Sequence, residues 1–202
     1  MRYFASAVAL AALTLSTSVF AQELDVGANV HILQGETGST VVTAEYDWQL
    51  GNLGGFGFVD KNVDGTGYFT NHEVRLDVHG PVYALAEVGG SPAWDFQLVG
   101  VGVKLRNLPV VRDNFVFLNV TAELARGANA NQFKIVWRTR DLKLTEDVSV
   151  YSSGFARFRI DAPDVIQPQV WVKIKDIPVE FGSEIAVFGD TVNVQVAVKV
   201  NF

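Results

Sequence analysis

The chain has 202 residues, a formal net charge of −6 and no cysteine. That length suits one domain, and the lack of thiols excludes disulfide staples and thiolate metal centres. An acidic chain without a basic run is a poor partner for a nucleic-acid polymer.

Residues 1–21 read as a secretory signal peptide. Arg2 supplies the positive start, an apolar stretch runs from Ala5 to Leu15, and Val19-Phe20-Ala21 forms a small-residue site with cleavage before Gln22. Residues 22–202 form the expected mature domain. Removing Arg2 from the 16 basic side chains leaves 15 against 22 acidic ones, a mature charge of −7. No later apolar run reaches the eighteen or so residues that a membrane-spanning helix needs.

From Leu24 onward, apolar and polar residues alternate with period two, the pattern of a strand with one greasy and one wet face. Leu24, Val26, Ala28, Val30 and Ile32 alternate with Asp25, Gly27, Asn29 and His31. Val42, Ala44, Tyr46 and Trp48 alternate with Thr43, Glu45 and Asp47. Gly55-Phe56-Gly57-Phe58-Val59 is a short strand whose glycine face leaves room in the interior or allows a bend. Val74, Leu76 and Val78 oppose Glu73, Arg75 and Asp77. Residues 82–88 are apolar on both sides except Glu87, and in 94–104 Val99, Val101 and Val103 oppose Phe96, Leu98, Gly100 and Gly102, so the side that faces lipid is undetermined. Val116, Leu118 and Val120 oppose Phe117, Asn119 and Thr121, with Phe115 expected on the inward side with Phe117. Phe133, Ile135 and Trp137 oppose Lys134 and Arg138. Phe158 and Ile160 oppose Arg157 and Arg159, and Val170, Val172 and Ile174 oppose Trp171, Lys173 and Lys175. Val179, Phe181, Ile185 and Val187 oppose Glu180 and Glu184. The last segment, Val192 to Phe202, alternates without a break.

Alternation alone also describes a soluble sandwich. The preceding signal peptide, the recurrence along the mature chain and the terminal aromatic Phe202 select a transmembrane antiparallel up-and-down β-barrel of the bacterial outer membrane. The terminal strand has the form read by the barrel-assembly machinery. Membrane strands of roughly 9–11 residues give about twelve, with ten as the alternative. An even count puts both ends on the periplasmic side, with residues 105–113 and 139–146 among the periplasmic connections. Tyr46, Trp48, Tyr68 and Trp137 suit interfacial girdles.

The wet face carries an acidic wall early in the chain (Glu45, Asp47, Glu73, Asp77, Glu87, Glu123) and a basic wall later (Lys134, Arg138, Arg157, Arg159, Lys173, Lys175). Charges are unfavourable on the lipid side, where Lys or Arg would cost about 2–4 kcal/mol at mid-depth, so they face inward, where they pair or line a wet path. Asp60, Asn62 and Asp64 resemble the start of a calcium loop. Its bidentate glutamate is missing, because that position is Asn71, so the segment reads as a turn. His31, His72 and His79 have no nucleophile or carboxylate partner at catalytic spacing. No enzyme, metal or cofactor is expected.

Glu45-Tyr46-Asp47-Trp48 followed by Gly55-Phe56-Gly57-Phe58-Val59-Asp60 resembles the opening of the Tsx-like nucleoside-specific channel-forming outer-membrane proteins. Tyr68-Phe69, Gly100-Val101-Gly102, Gln167-Pro168-Gln169 and Phe181-Gly182-Ser183-Glu184 follow in that family's order. The resemblance implies a twelve-stranded monomeric barrel with a narrow pore. The leading functional expectation is passive diffusion of small polar solutes, nucleosides among them, past Glu45, Asp47, Glu73, Arg75, Arg157, Arg159, Lys173 and Glu184, with Phe117 and Trp171 as stacking residues. The alternatives are a sealed structural barrel and an outer-membrane lipid-modifying enzyme.

Overall fold

The computed structural model describes residues 25–35, 40–65, 67–127 and 131–201. The expected signal peptide, its expected cleavage site and Phe202 lie outside the described residues. Twelve long strands close into one antiparallel barrel. They are β1 Asp25–Gly35, β2 Thr40–Leu50, β3 Leu53–Asn62, β4 Tyr68–His79, β5 Val82–Ser91, β6 Trp94–Lys104, β7 Phe115–Gly127, β8 Gln132–Thr139, β9 Val148–Arg159, β10 Val165–Ile174, β11 Val179–Phe188 and β12 Thr191–Asn201. Each pairs with its neighbours in the chain, and β12 closes onto β1 with His31 opposite Lys199. No edge is left unpaired, which is how a sheet satisfies its backbone groups in a medium without water. The ten-stranded alternative is excluded.

β1 begins and β12 finishes at one end of the barrel, here called the near end. The longest connections lie there. Residues 105–114 form a turn of 3-10 helix (Leu105–Asn107) and a short helix α1 (Pro109–Asn114), and Leu142–Lys143 adds a two-residue strand against β9. At the far end, the connections 92–93 and 189–190 are tight turns.

Register settles the faces. Val99 and Val101 point outward, 58% and 59% exposed, as do Val82, Ala84 and Ala86 on their partner strand. Tyr83, Leu85, Phe96 and Leu98 point inward and are buried. The outer surface is a continuous apolar band that includes Ile32, Leu124, Phe133, Val170 and Phe181. Such a surface is a liability in water and suits hydrocarbon.

Two expectations are corrected. Gly55 and Gly57 face outward, not into the lumen. They lie opposite Trp48 and Tyr46, whose rings lie across them, and a Cβ on Gly57 would sit 2.5 Å from Tyr46 Oη. Phe56 and Phe58 therefore point inward. The same device recurs inside, where Tyr83 lies over Gly102, Phe96 over Gly89 and Trp171 over Gly182, each pair directly cross-strand. The glycine gives up its own side-chain packing and the neighbouring ring fills the space. Second, a bulge between Phe115 and Phe117 puts Phe115 opposite Thr139, on the outward register, because the extra residue shifts the alternation by one.

Candidate functional site: the lumen

The inward register holds Glu45 and Asp47 (β2), Glu73 and Arg75 (β4), Phe117 (β7), Arg157 and Arg159 (β9), Trp171 and Lys173 (β10) and Glu184 (β11). These side chains do not form one site. Seven of them divide among three groups, whereas Asp47 and Phe117 are exposed and Arg159 Nε donates to the Pro163 carbonyl at 2.5 Å.

At mid-height a charge cluster spans the lumen. The Lys134 ammonium lies 2.6 Å from Glu73 Oε2 and 3.0 Å from Glu123 Oε1, and it also meets Glu87. Arg157 donates to Glu87 from β9, Asn71 Nδ2 donates to it at 2.9 Å, and Arg75 pairs with Glu73 at 3.0 Å. Gln132 Nε2 donates to Glu123 at 2.5 Å. Glu87 is 0% exposed and Lys134 4%. Three carboxylates meet three cations, so the cluster is neutral. Glu73, Glu87 and Glu123 offer oxygens within 4.8 Å of one another, a spacing that would hold a metal ion. Lys134 already supplies the positive charge at their centre. Sequence reasoning placed Glu73, Arg75 and Arg157 in the site but passed over Glu87, Glu123 and Lys134 as site residues. Their signal was present: Glu87 is the lone charge of residues 82–88, and Glu123 and Lys134 sit on the wet side of their alternations.

Toward the near end, a second group packs around Trp171. Its ring is 0% exposed. His31 meets it edge-on at 5.1 Å, and the Lys199 ammonium lies 5.4 Å from its centre. His31 Nε2 lies 3.4 Å from Glu45 Oε2. Tyr151 donates to Glu180 at 2.5 Å, with Arg138 and Lys173 over its ring at 4.6 and 5.0 Å. No face of Trp171 is free to stack on a solute, contrary to the expectation. Burial overrides its inward placement. Phe117, 37% exposed, keeps a free face. Beyond this group, a cavity of about 440 Å³ opens at the near end between Lys143, Glu146, Lys173, Lys175 and Glu180.

In the far half, Glu184 accepts from Gln167 Nε2 at 2.5 Å and Gln169 Nε2 at 2.6 Å. Asp60 accepts from Thr43 Oγ1 at 2.6 Å. Asp60 is thus an inward strand residue, held apart from the turn that contains Asp64, so the calcium-loop resemblance has no structural counterpart. Beside it runs a row of rings, with Phe56–Phe58, Phe58–Phe69 and Phe69–Phe96 centroids 6.1, 5.8 and 6.2 Å apart.

No family model and no curated protein matches this chain. Solved structures do. A KdgM porin in complex with disordered oligogalacturonate has a TM-score of 0.55 at 8% identity, covering 87% of this chain and 99% of that one. A second KdgM porin structure has a TM-score of 0.54 at 8% identity, with the same coverage. A third structure, from work on in-meso crystallization of membrane proteins, has a TM-score of 0.53 at 14% identity, covering 88% of this chain and 83% of that one. At these identities the likeness is one of fold, a closed antiparallel barrel of the kind porins adopt.

Proposed function

We propose that the chain is a bacterial outer-membrane channel for passive diffusion of small polar solutes, narrowed at mid-height by its internal charge cluster. The observation that carries this reading is the contrast between faces: an apolar outer band around an interior lined from end to end with charged, amide and aromatic side chains. Twelve strands enclose more space than eight, whose interior side chains alone would fill it. The Tsx-like motifs and the free face of Phe117 support nucleosides as the solute. Insertion through the C-terminal strand by the barrel-assembly machinery, outer-membrane lipid as surroundings and a monomeric state belong to the same proposal.

One observation favours a second reading, a sealed barrel. Glu87, Lys134 and Trp171 are shut off from water at two depths of the lumen. Single-channel conductance of refolded protein in a planar bilayer separates the two. Steady conductance partly blocked by nucleosides supports the channel. Absence of conductance from demonstrably folded protein refutes it in favour of the sealed barrel.

A further inference from the structure

One sector of the outer face departs from the apolar pattern. On β4 the outward register holds Tyr68, Thr70 and His72 before it turns to Val74, Leu76 and Val78. Lys61 lies directly opposite Tyr68 on β3, toward the far end, and is exposed. Tyr46 on β2 and His72 on β4 flank Gly57 from either side and lean over it. A Cβ there would sit 2.5 Å from Tyr46 Oη and 2.8 Å from His72 Nδ1. The hydroxyl and Nδ1 meet at 2.7 Å, with the two rings stacked at 5.9 Å.

An ionisable side chain on the hydrocarbon side of a barrel is costly and marks a functional candidate. The bland explanation is that the two residues satisfy each other, but their protons do not balance. The phenol carries one proton and a neutral imidazole carries one, and the bond between them uses one. In either tautomer an N–H or O–H is left over. Neither residue makes another hydrogen bond among the described residues. Water is scarce beside an apolar band in lipid, so the leftover donor takes its acceptor from the lipid itself.

Depth identifies that acceptor. Lys61 stands four residues from Gly57 on the same face of β3. At about 3.3 Å per residue and a strand tilt of about 40°, this is roughly 10 Å along the membrane normal. The interfacial zone on each side of the hydrocarbon is about 5–7 Å deep. With the Lys61 ammonium among lipid phosphates, the Tyr46–His72 pair lies near the top of the hydrocarbon, where carbonyl groups join acyl chains to the headgroup. Below it, Val74 and Leu76 on β4 and Ala84 and Ala86 on β5 present an apolar wall to the chains.

We propose that Lys61, Tyr46 and His72 form a lipid-facing site for a phosphorylated glycolipid with carbonyl-linked acyl chains. The ammonium takes a phosphate, and the leftover proton of the pair takes an acyl carbonyl. The inference rests on the outer-membrane placement of the barrel and not on conduction through it. In the orientation expected for an even strand number, the far end meets the outer leaflet, where lipid of this kind is abundant.

The test is a titration of the refolded protein in detergent micelles with bisphosphoryl lipid A. Binding is read by native mass spectrometry as the fraction carrying one lipid, and folding by heat-modifiable gel mobility. Saturable one-to-one binding is expected, with a shift of the His72 imidazole nitrogen resonances when lipid A is added. Tyr46→Phe/His72→Phe keeps two rings and removes the leftover proton, and it is expected to bind at least fivefold more weakly. Lys61→Gln alone is expected to weaken binding to a similar degree. Phe181→Leu, on the outer face of β11, is expected to leave it unchanged. The proposal is overturned if the folded wild type carries no lipid A, or if binding is undiminished in the double variant or in Lys61→Gln. It is also overturned if diacyl phosphatidylglycerol binds the wild type as tightly. Failure of the wild type to insert into lipid vesicles would refute the membrane placement, whereas insertion without lipid A binding would refute the site alone.

Discussion

Replacing Lys134 by Met removes the one cation that Glu73, Glu87 and Glu123 share, while keeping most of the side-chain volume. Arg157 still serves Glu87 and Arg75 still serves Glu73. Glu123 retains only the Gln132 amide. The variant therefore leaves one carboxylate uncompensated among oxygens that lie within 4.8 Å of each other. Breaking a buried ion pair from one side costs about 3–5 kcal/mol. The cheapest escape is for one carboxyl to bind a proton. From an ordinary value near 4.3, this costs about 3.7 kcal/mol at pH 7 and sets a ceiling of similar size. We expect a loss of about 3–4 kcal/mol in urea unfolding from lipid vesicles, followed by tryptophan fluorescence. Adding Glu123→Gln restores neutrality and is expected to recover at least half of that loss, a coupling of the size neighbouring charges show. A loss below about 1 kcal/mol for the single variant, or no recovery in the double, would refute the claim that this cluster is a neutral, water-excluded brace.

Three further outcomes are expected. Val101→Arg places a charge in the outer band and should cost about 2–4 kcal/mol in bilayer unfolding; an effect below 0.5 kcal/mol or so would mean that this face does not meet lipid. Gly57→Val forces a branched side chain into the Tyr46 ring and should destabilise by about 1–3 kcal/mol in the same assay, whereas a neutral result would show that the ring moves aside freely. Trp171→Ala removes the fully buried indole, with a cost of about 3–5 kcal/mol in unfolding. It should also widen the lumen, and unchanged single-channel conductance would place the permeation path elsewhere.

Strand number, closure and most facings were legible because the chain alternates wherever one face meets hydrocarbon and the other meets charge. The alternation failed to assign β5 and β6, and the structure shows why. Their inward residues, Tyr83, Leu85, Phe96 and Leu98, are as apolar as their outward ones, because this part of the lumen is packed instead of wet. Period-two contrast reports a difference between environments and vanishes when both are apolar. Gly55 and Gly57 misled for a related reason. A glycine has no face of its own, and its meaning came from the Trp48 and Tyr46 rings on the next strand. The Lys134 cluster joins β4 to β8 across the barrel, a contact set by closure and radius that no local window contains.

The same lumen carries charge in two energetically distinct ways, and the difference bears on what can pass. The mid-height carboxylates are matched by cations of the chain itself, so an ionic solute gains little there and must disrupt bonds to enter. Among the described residues, Asp60 and Glu184 are matched by neutral donors only. Hydrogen bonds from Thr43, Gln167 and Gln169 stabilise the charge locally but leave the field unscreened, so a cation arriving from the far end meets an attractive potential and an anion a repulsive one. On the channel reading, a solute that passes this depth next meets the braced cluster, where passage would require Lys134 or Arg157 to move. On the channel reading, selection by charge and restriction by width fall on different residues, and Asp60→Asn/Glu184→Gln is expected to shift the cation-over-anion preference read from bilayer reversal potentials without changing the mid-height ion pairs.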